Sequence, residues 1–196
     1  ARGRASNLIG GGCNLVLKNI TLHNTTDVFA DNQAEALSFD STGNLIAYNC
    51  SFKSHQDTHY IGAKGSRSWF YKCYIEGDVD FLWGYGDVVL YEECEMVALN
   101  NGKTTPQAVL IAARGDVSQP ANKGFVLLNH KITVNPGVAL AFARNSGADT
   151  NGAFINNVIT LEDSTATVEK TIYREVTNTQ VYDANKDMAI GWKDIG

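Results

Sequence analysis

What most limits how this chain can fold is a repeat of short strand-like segments. LVLKNITL (15–22), LIAYNCSF (45–52), SWFYKCYI (68–75), VVLYEECEM (88–96), FVLLNHKI (125–132) and GAFINNVI (152–159) stack on one another. Each is rich in strand-forming residues and partly alternating. One slot recurs, filled by Ile20, Cys50, Cys73, Cys94, His130 and Asn157, at gaps of 30, 23, 21, 36 and 27 residues. Between the segments lie Gly, Asn, Asp and Ser, the residues of turns. No long amphipathic helical pattern interrupts them, which disfavours alternating strands and helices. A period of twenty to forty residues with strands in each unit reads as a solenoid, so the expectation is an all-β parallel β-helix with the slot residues stacked inside it. An irregular β-sandwich is the alternative. Uneven gaps place long loops on some turns.

The 196 residues suit one domain, 1–196, with a core of its own. The tail, from about 168 to 196, has no repeat and is expected to be irregular and to pack on the helix. A net charge of −5 without a Lys/Arg run argues against nucleic acid. No apolar run approaches the length of a membrane span. The opening ARGRASNLIGGGC is basic but has no apolar signal region, so a mature, trimmed or fragmentary chain is expected. The cysteines form no CxxC pair.

GDVDFLWG (77–84) places Asp80 in an apolar run, where an unpaired carboxylate is costly to desolvate. HQDTHY (55–60) supplies a second one. Asp57 lies five residues after Phe52 and Asp80 five after Ile75. In a parallel solenoid, equal offsets put both on one face of adjacent turns, about 4.8 Å apart. Two such carboxyls do not both ionise easily, which leaves one acid beside one base or nucleophile. A pair of solvated turn aspartates is the plain alternative. Arg144, in ALAFARNSG, is an arginine in an apolar run able to hold a carboxylate charged. Gln33 and Gln56 add amide donors of the kind that serve oxyanions.

These residues resemble the pectin methylesterases (pectinesterases). That family reads QAVAL, YQDTLY, G-x-VDFIFG and LGRPW, in that order. Here stand QAEAL from Gln33, HQDTHY, GDVDFLWG and, less closely, FARNS around Arg144. The resemblance runs from about Asn14 to Ile159. It implies a right-handed parallel β-helix and hydrolysis of galacturonate methyl esters in pectin. It assigns Asp80 as nucleophile, Asp57 as acid and then base, Gln33 and Gln56 as amides near the oxyanion, and Arg144 as the group that orients Asp80. It implies no metal and no organic cofactor. Tyr60, Phe81 and Trp83 would form a sugar platform, with core packing the alternative for Phe81. Pectin would be the partner, with no nucleic acid or membrane, and the protein a secreted monomer of the extracellular space or cell wall.

The chain also departs from the pattern. Asn145 and Ser146 follow Arg144 where the family has Pro-Trp, His59 replaces a Leu, and the family's N-terminal turns are expected to be absent. The family sometimes bridges neighbouring slot cysteines, which implies a Cys50–Cys73 disulfide, with a thiol ladder the alternative. Asn24-Thr25-Thr26 is a glycosylation sequon best explained by chance. Asn19 and Asn49 also head sequons and are expected to hydrogen-bond between turns instead. Two rival functions remain open at this point: a non-catalytic carbohydrate-binding β-helix, and a lyase or polygalacturonase on the same scaffold.

Overall fold

The computed structural model describes residues 8–10, 12–27, 33–62, 65–85, 88–102, 107–115, 124–147, 152–155, 157–168, 171–172, 180–183 and 188–190. The chain coils through three sheets in strict rotation. The first sheet holds β1 (Leu8–Gly10), β4 (Leu37–Phe39), β7 (His59–Ile61), β10 (Leu82–Gly84), β13 (Gln107–Gly115), β16 (Ala139–Gly147) and β19 (Thr167–Val168). The second holds β2 (Leu15–Lys18), β5 (Asn44–Tyr48), β8 (Arg67–Tyr71), β11 (Val88–Glu92), β14 (Gly124–Leu128) and β17 (Gly152–Ile155). The third holds β3 (Thr21–His23), β6 (Ser51–Lys53), β9 (Tyr74–Gly77), β12 (Glu95–Ala98), β15 (Lys131–Val134) and β18 (Val158–Leu161). Every pairing within these sheets is parallel and joins one coil to the next. This is a parallel β-helix, and the sandwich alternative falls.

Alternation along each strand sorts the side chains. In β5 and β8 the burial pattern is exposed, buried, exposed, buried, so Leu45, Ala47, Ser68 and Phe70 enter the coil. Leu45, Ala47 and Phe70 join Phe39, Phe52, Ile75, Tyr91, Phe125 and Phe142 in one continuous core. Aromatic rings stack from coil to coil, as between Phe70 and Tyr91 at 4.6 Å. Burying such rings supplies most of the drive to fold.

The corner between the second and third sheets is turned by one left-handed residue per coil: Asn19, Asn49, Lys72, Glu93 and Asn129, with φ between 50° and 58°. Asn tolerates that region better than most residues. Asn49 Nδ2 donates to Asn19 Oδ1 at 2.9 Å, the inter-turn bond expected of this pair. The slot residue follows each corner. Cys50, Cys73, Cys94, His130 and Asn157 are buried as a ladder, whereas Ile20 on the first coil is partly exposed. His130 takes the Cys94 N–H at Nδ1 and donates from Nε2 to Tyr91 O, and its own N–H goes to Asn157 Oδ1.

Two expectations need correction. Cys50 and Cys73 are free thiols, not a disulfide. Each thiol of the ladder lies within reach of the carbonyl two residues before it, Tyr48 for Cys50, Tyr71 for Cys73 and Glu92 for Cys94. The tail is not wholly irregular: β20 (Thr171–Ile172), β21 (Gln180–Asp183) and β22 (Met188–Ile190) form a small antiparallel sheet, with β20 beside β16 and β22 beside β17. Asn24 is buried, and its amide donates to Glu35 O at 3.0 Å, which removes it as a glycan acceptor.

Candidate active site

The corner between the third and first sheets carries the candidate residues. His59 pairs with Leu82, and their backbones stay in step through the turns before them. The Asp57 N–H donates to Val79 O at 3.0 Å and the His59 N–H to Phe81 O at 2.9 Å. Asp57 and Asp80 therefore occupy matching places on adjacent coils, one strand spacing of about 4.8 Å apart in the backbone. Both take the left-handed conformation, at φ 62° and 56°. That conformation costs an ordinary residue about 1 kcal/mol and recurs where function requires it. Both are buried, at 2% and 6% exposure.

The turns are tightly built. Thr58 Oγ1 donates to Glu76 O at 2.9 Å. A Cβ on Gly77 would lie 2.2 Å from Phe81 Cβ and 2.8 Å from His55 O, so only glycine lets the two turns approach this closely. Gln56 adjoins Asp57, and Gln33 stands on the preceding coil; both are half-buried.

One row of the first sheet runs Ser38, Tyr60, Trp83 and Ala112 on successive coils, and Arg144 is next in backbone register. Arg144 thus lies two strand spacings, about 10 Å along the axis, from the coil of Asp80. Its backbone is placed by this pairing, and its side chain lies outside the described residues. Tyr60 and Trp83 pack with ring centroids 4.3 Å apart and form, with Ala112, a small cluster separate from the main core. Only 5% and 4% of their surfaces are exposed. Phe81 does not join them. It is wholly buried in the main core, because the left-handed Asp80 resets the alternation and sends both Phe81 and Leu82 inward. Phe81 is therefore no part of the Tyr60–Trp83 pair.

One acid beside this site was missed. Glu35 lies two residues before Leu37, as Asp57 lies two before His59 and Asp80 two before Leu82, and these three residues are in register. It is fully buried. The Ala34 and Ala36 amides on either side of it donate to Gln56 O and Thr58 O, the carbonyls flanking Asp57. Carrying the equal-offset argument one coil back would have found it.

A family model described as Pectinesterase matches residues 4–147. The chain belongs to the pectinesterase family. Within it, the chain is 36% identical over 125 residues to a probable pectinesterase/pectinesterase inhibitor of Arabidopsis thaliana, covering 64% of this chain and 21% of that one. It is 34% identical over 119 residues to a pectinesterase of Petunia integrifolia, covering 61% and 30%. It thus spans less than a third of either relative. Among solved structures, a pectin methylesterase from Yersinia enterocolitica superposes with a TM-score of 0.66 at 21% identity, over 94% of this chain and 63% of that one. One from carrot gives 0.61 at 18% identity, over 89% and 64%. Likeness at that identity concerns architecture, and the architecture of this chain is the right-handed parallel β-helix.

Proposed function

We propose that this chain is a pectin methylesterase that hydrolyses the methyl esters of galacturonate units in pectin to pectate and methanol. The observation that carries the reading is the pair of buried aspartates in matched left-handed turns of a pectinesterase-family β-helix. Asp80 attacks the ester carbonyl as a carboxylate, forming a tetrahedral oxyanion. Collapse breaks the bond to the methoxy oxygen, and Asp57 gives that oxygen its proton, so methanol leaves and an acyl-enzyme anhydride remains. Asp57, now charged, takes a proton from water as the water attacks the anhydride. Asp80 departs as a carboxylate, and both groups return to their starting states. Two carboxyls at one strand spacing suit this division, because one stays protonated while the other is charged. The Gln33 and Gln56 amides donate to the oxyanion, and Arg144 orients Asp80. The protein works as a monomer outside the cell, on wall polysaccharide.

The test is methanol release from highly methylated pectin by the parent and by Asp80→Asn. The parent releases methanol, and the variant loses at least about a thousandfold in kcat. A folded parent that releases none would refute the esterase reading. The absence of Pro-Trp after Arg144 favours a second reading, a carbohydrate-binding β-helix without turnover. Retention on pectin without methanol would select it.

A further inference from the structure

His55 and Asp78 take no part in the chemistry above, yet they connect the two turns that carry it. His55 lies two residues before Asp57, and Asp78 two before Asp80. The His55 Nδ1 is buried, and Asp78 Oδ2 stands 3.6 Å from it. Asp78 is 2% exposed, whereas a third of the imidazole side chain reaches the surface. The other Asp78 oxygen accepts the Val79 N–H, and the Val79 carbonyl accepts the Asp57 N–H. Asp78 N–H in turn donates to His55 O at 2.9 Å. Backbone bonds thus tie the turn of Asp57 to the turn of Asp80, and the ring and the Asp78 carboxylate stand beside them at ion-pair range, without a hydrogen bond.

We propose that the His55–Asp78 pair is a positioning clasp that sets the placement of Asp57 against Asp80 and couples it to the charge of the imidazole. The clasp rests on the esterase reading for its catalytic consequence. The acid facing Nδ1 is Asp78. Asp57 and Asp80 lie two residues along the turns, Glu35 lies on the preceding coil, and the Lys53–Glu76 pair closes the strand ends at 3.9 Å. From the following coil, Val109 contributes a backbone N–H to Asp78 O and no charge. Among the other histidines, burial lowers the pKa of His59 and His130, and His23 sits on β3 of the first coil. His55 is therefore the imidazole that borders both turns. A charged ring attracts the Asp78 carboxylate across that 3.6 Å by Coulomb force, which a neutral ring does not.

The experiment follows methanol release from pectin as a function of pH, together with an NMR titration of the His55 ring and the Asp57 and Asp80 carboxyl carbons. In the parent, kcat steps down as pH rises through the titration of the ring, while KM changes by less than about twofold. His55→Gln keeps a donor to Asp78 but no charge, so it stays at the high-pH level of the parent throughout. His55→Leu loses both and falls about tenfold further, the scale on which supporting residues act. The carboxyl carbons of Asp57 and Asp80 follow the His55 titration in the parent and lose that inflection in His55→Gln. Parallel pH profiles for parent and His55→Gln, or carboxyl shifts that ignore His55, overturn the clasp. If the folded parent releases no methanol, the esterase reading fails by itself, and the carboxyl shifts alone decide the clasp.

Discussion

His59 makes the core of this protein sensitive to acid, and the size of the effect follows from its surroundings. The ring is wholly buried against Phe52, Phe70 and Tyr91, at centroid distances of 4.3, 4.7 and 5.9 Å. Its Nδ1 meets the Tyr91 hydroxyl at 3.1 Å, and its Nε2 has no hydrogen-bond partner among the described residues. Burial lowers its pKa from 6.5 to about 3. The folded chain thus holds the neutral ring, while the unfolded chain binds a proton from about pH 6.5 downward. Stability from this group is complete above that pH and is lost as the pH falls toward 3. Between pH 7 and 5 the loss is about 2 kcal/mol, and over that interval the folded value hardly matters provided it lies below about 4. The perturbation is His59→Leu with Tyr91→Phe. Leucine already fills this place on both neighbouring coils, at Leu37 and Leu82. The second change spares the phenol an unpaired hydroxyl, which would cost about 1–3 kcal/mol. Urea unfolding at the two pH values is the assay. The parent should lose about 2 kcal/mol more than the double variant on going to pH 5, or about 4–8 °C in Tm for a chain of this size. Equal losses in the two proteins would refute the reasoning.

Other outcomes can be checked with simpler measurements. Asn49→Ala removes the bond to Asn19 and places a Cβ-bearing residue without a polar side chain at φ 51°, so it should cost about 1–2 kcal/mol in urea unfolding, and Asn49→Gly clearly less. Gly77→Ala drives a methyl into Phe81, Thr58 and His55 and should destabilise by about 1–3 kcal/mol; an unchanged urea midpoint would mean the turns can spread. A thiol reagent should label the exposed Cys13 in the native protein, and reach Cys50, Cys73 and Cys94 after unfolding. Burial pushes the Cys50 thiol above its usual pKa, which slows its reaction further. Labelling of two or more thiols in the native state would contradict the buried ladder.

Much of the architecture was legible because a coil repeats its own constraints. The slot at Cys50, Cys73, Cys94, His130 and Asn157 recurs because each coil turns the same corner, and the same corner needs a residue that fits inside. The aspartate pair was legible for the same reason: equal offsets from Phe52 and Ile75 become equal places once those residues pair. The placement of Phe81 was not legible, since a period of two fails where Asp80 turns left-handed. Nor was the coverage of Tyr60 and Trp83, whose exposure depends on whatever packs over the row from another part of the chain. The thiol state of Cys50 and Cys73 depends on side-chain direction, which spacing alone does not give. The antiparallel strands of the tail carry no repeat to announce them. Glu35 was overlooked because its motif was read for Gln33, although its offset was available.

The left-handed turns at Asp57 and Asp80 also bear on how such a site can change. Their separation is set by the Asp57 N–H to Val79 O bond and the sheet behind it, not by the reach of either side chain. A group on this column can stand one rung from its partner, or two, with nothing between. Substitution can therefore alter which chemical group occupies a rung, but it cannot slide a charge by a fraction of an ångström. Fine adjustment has to come from what surrounds the column, and that makes the neighbouring positions, with residues such as His55 and Glu35, the places where related β-helices have room to differ.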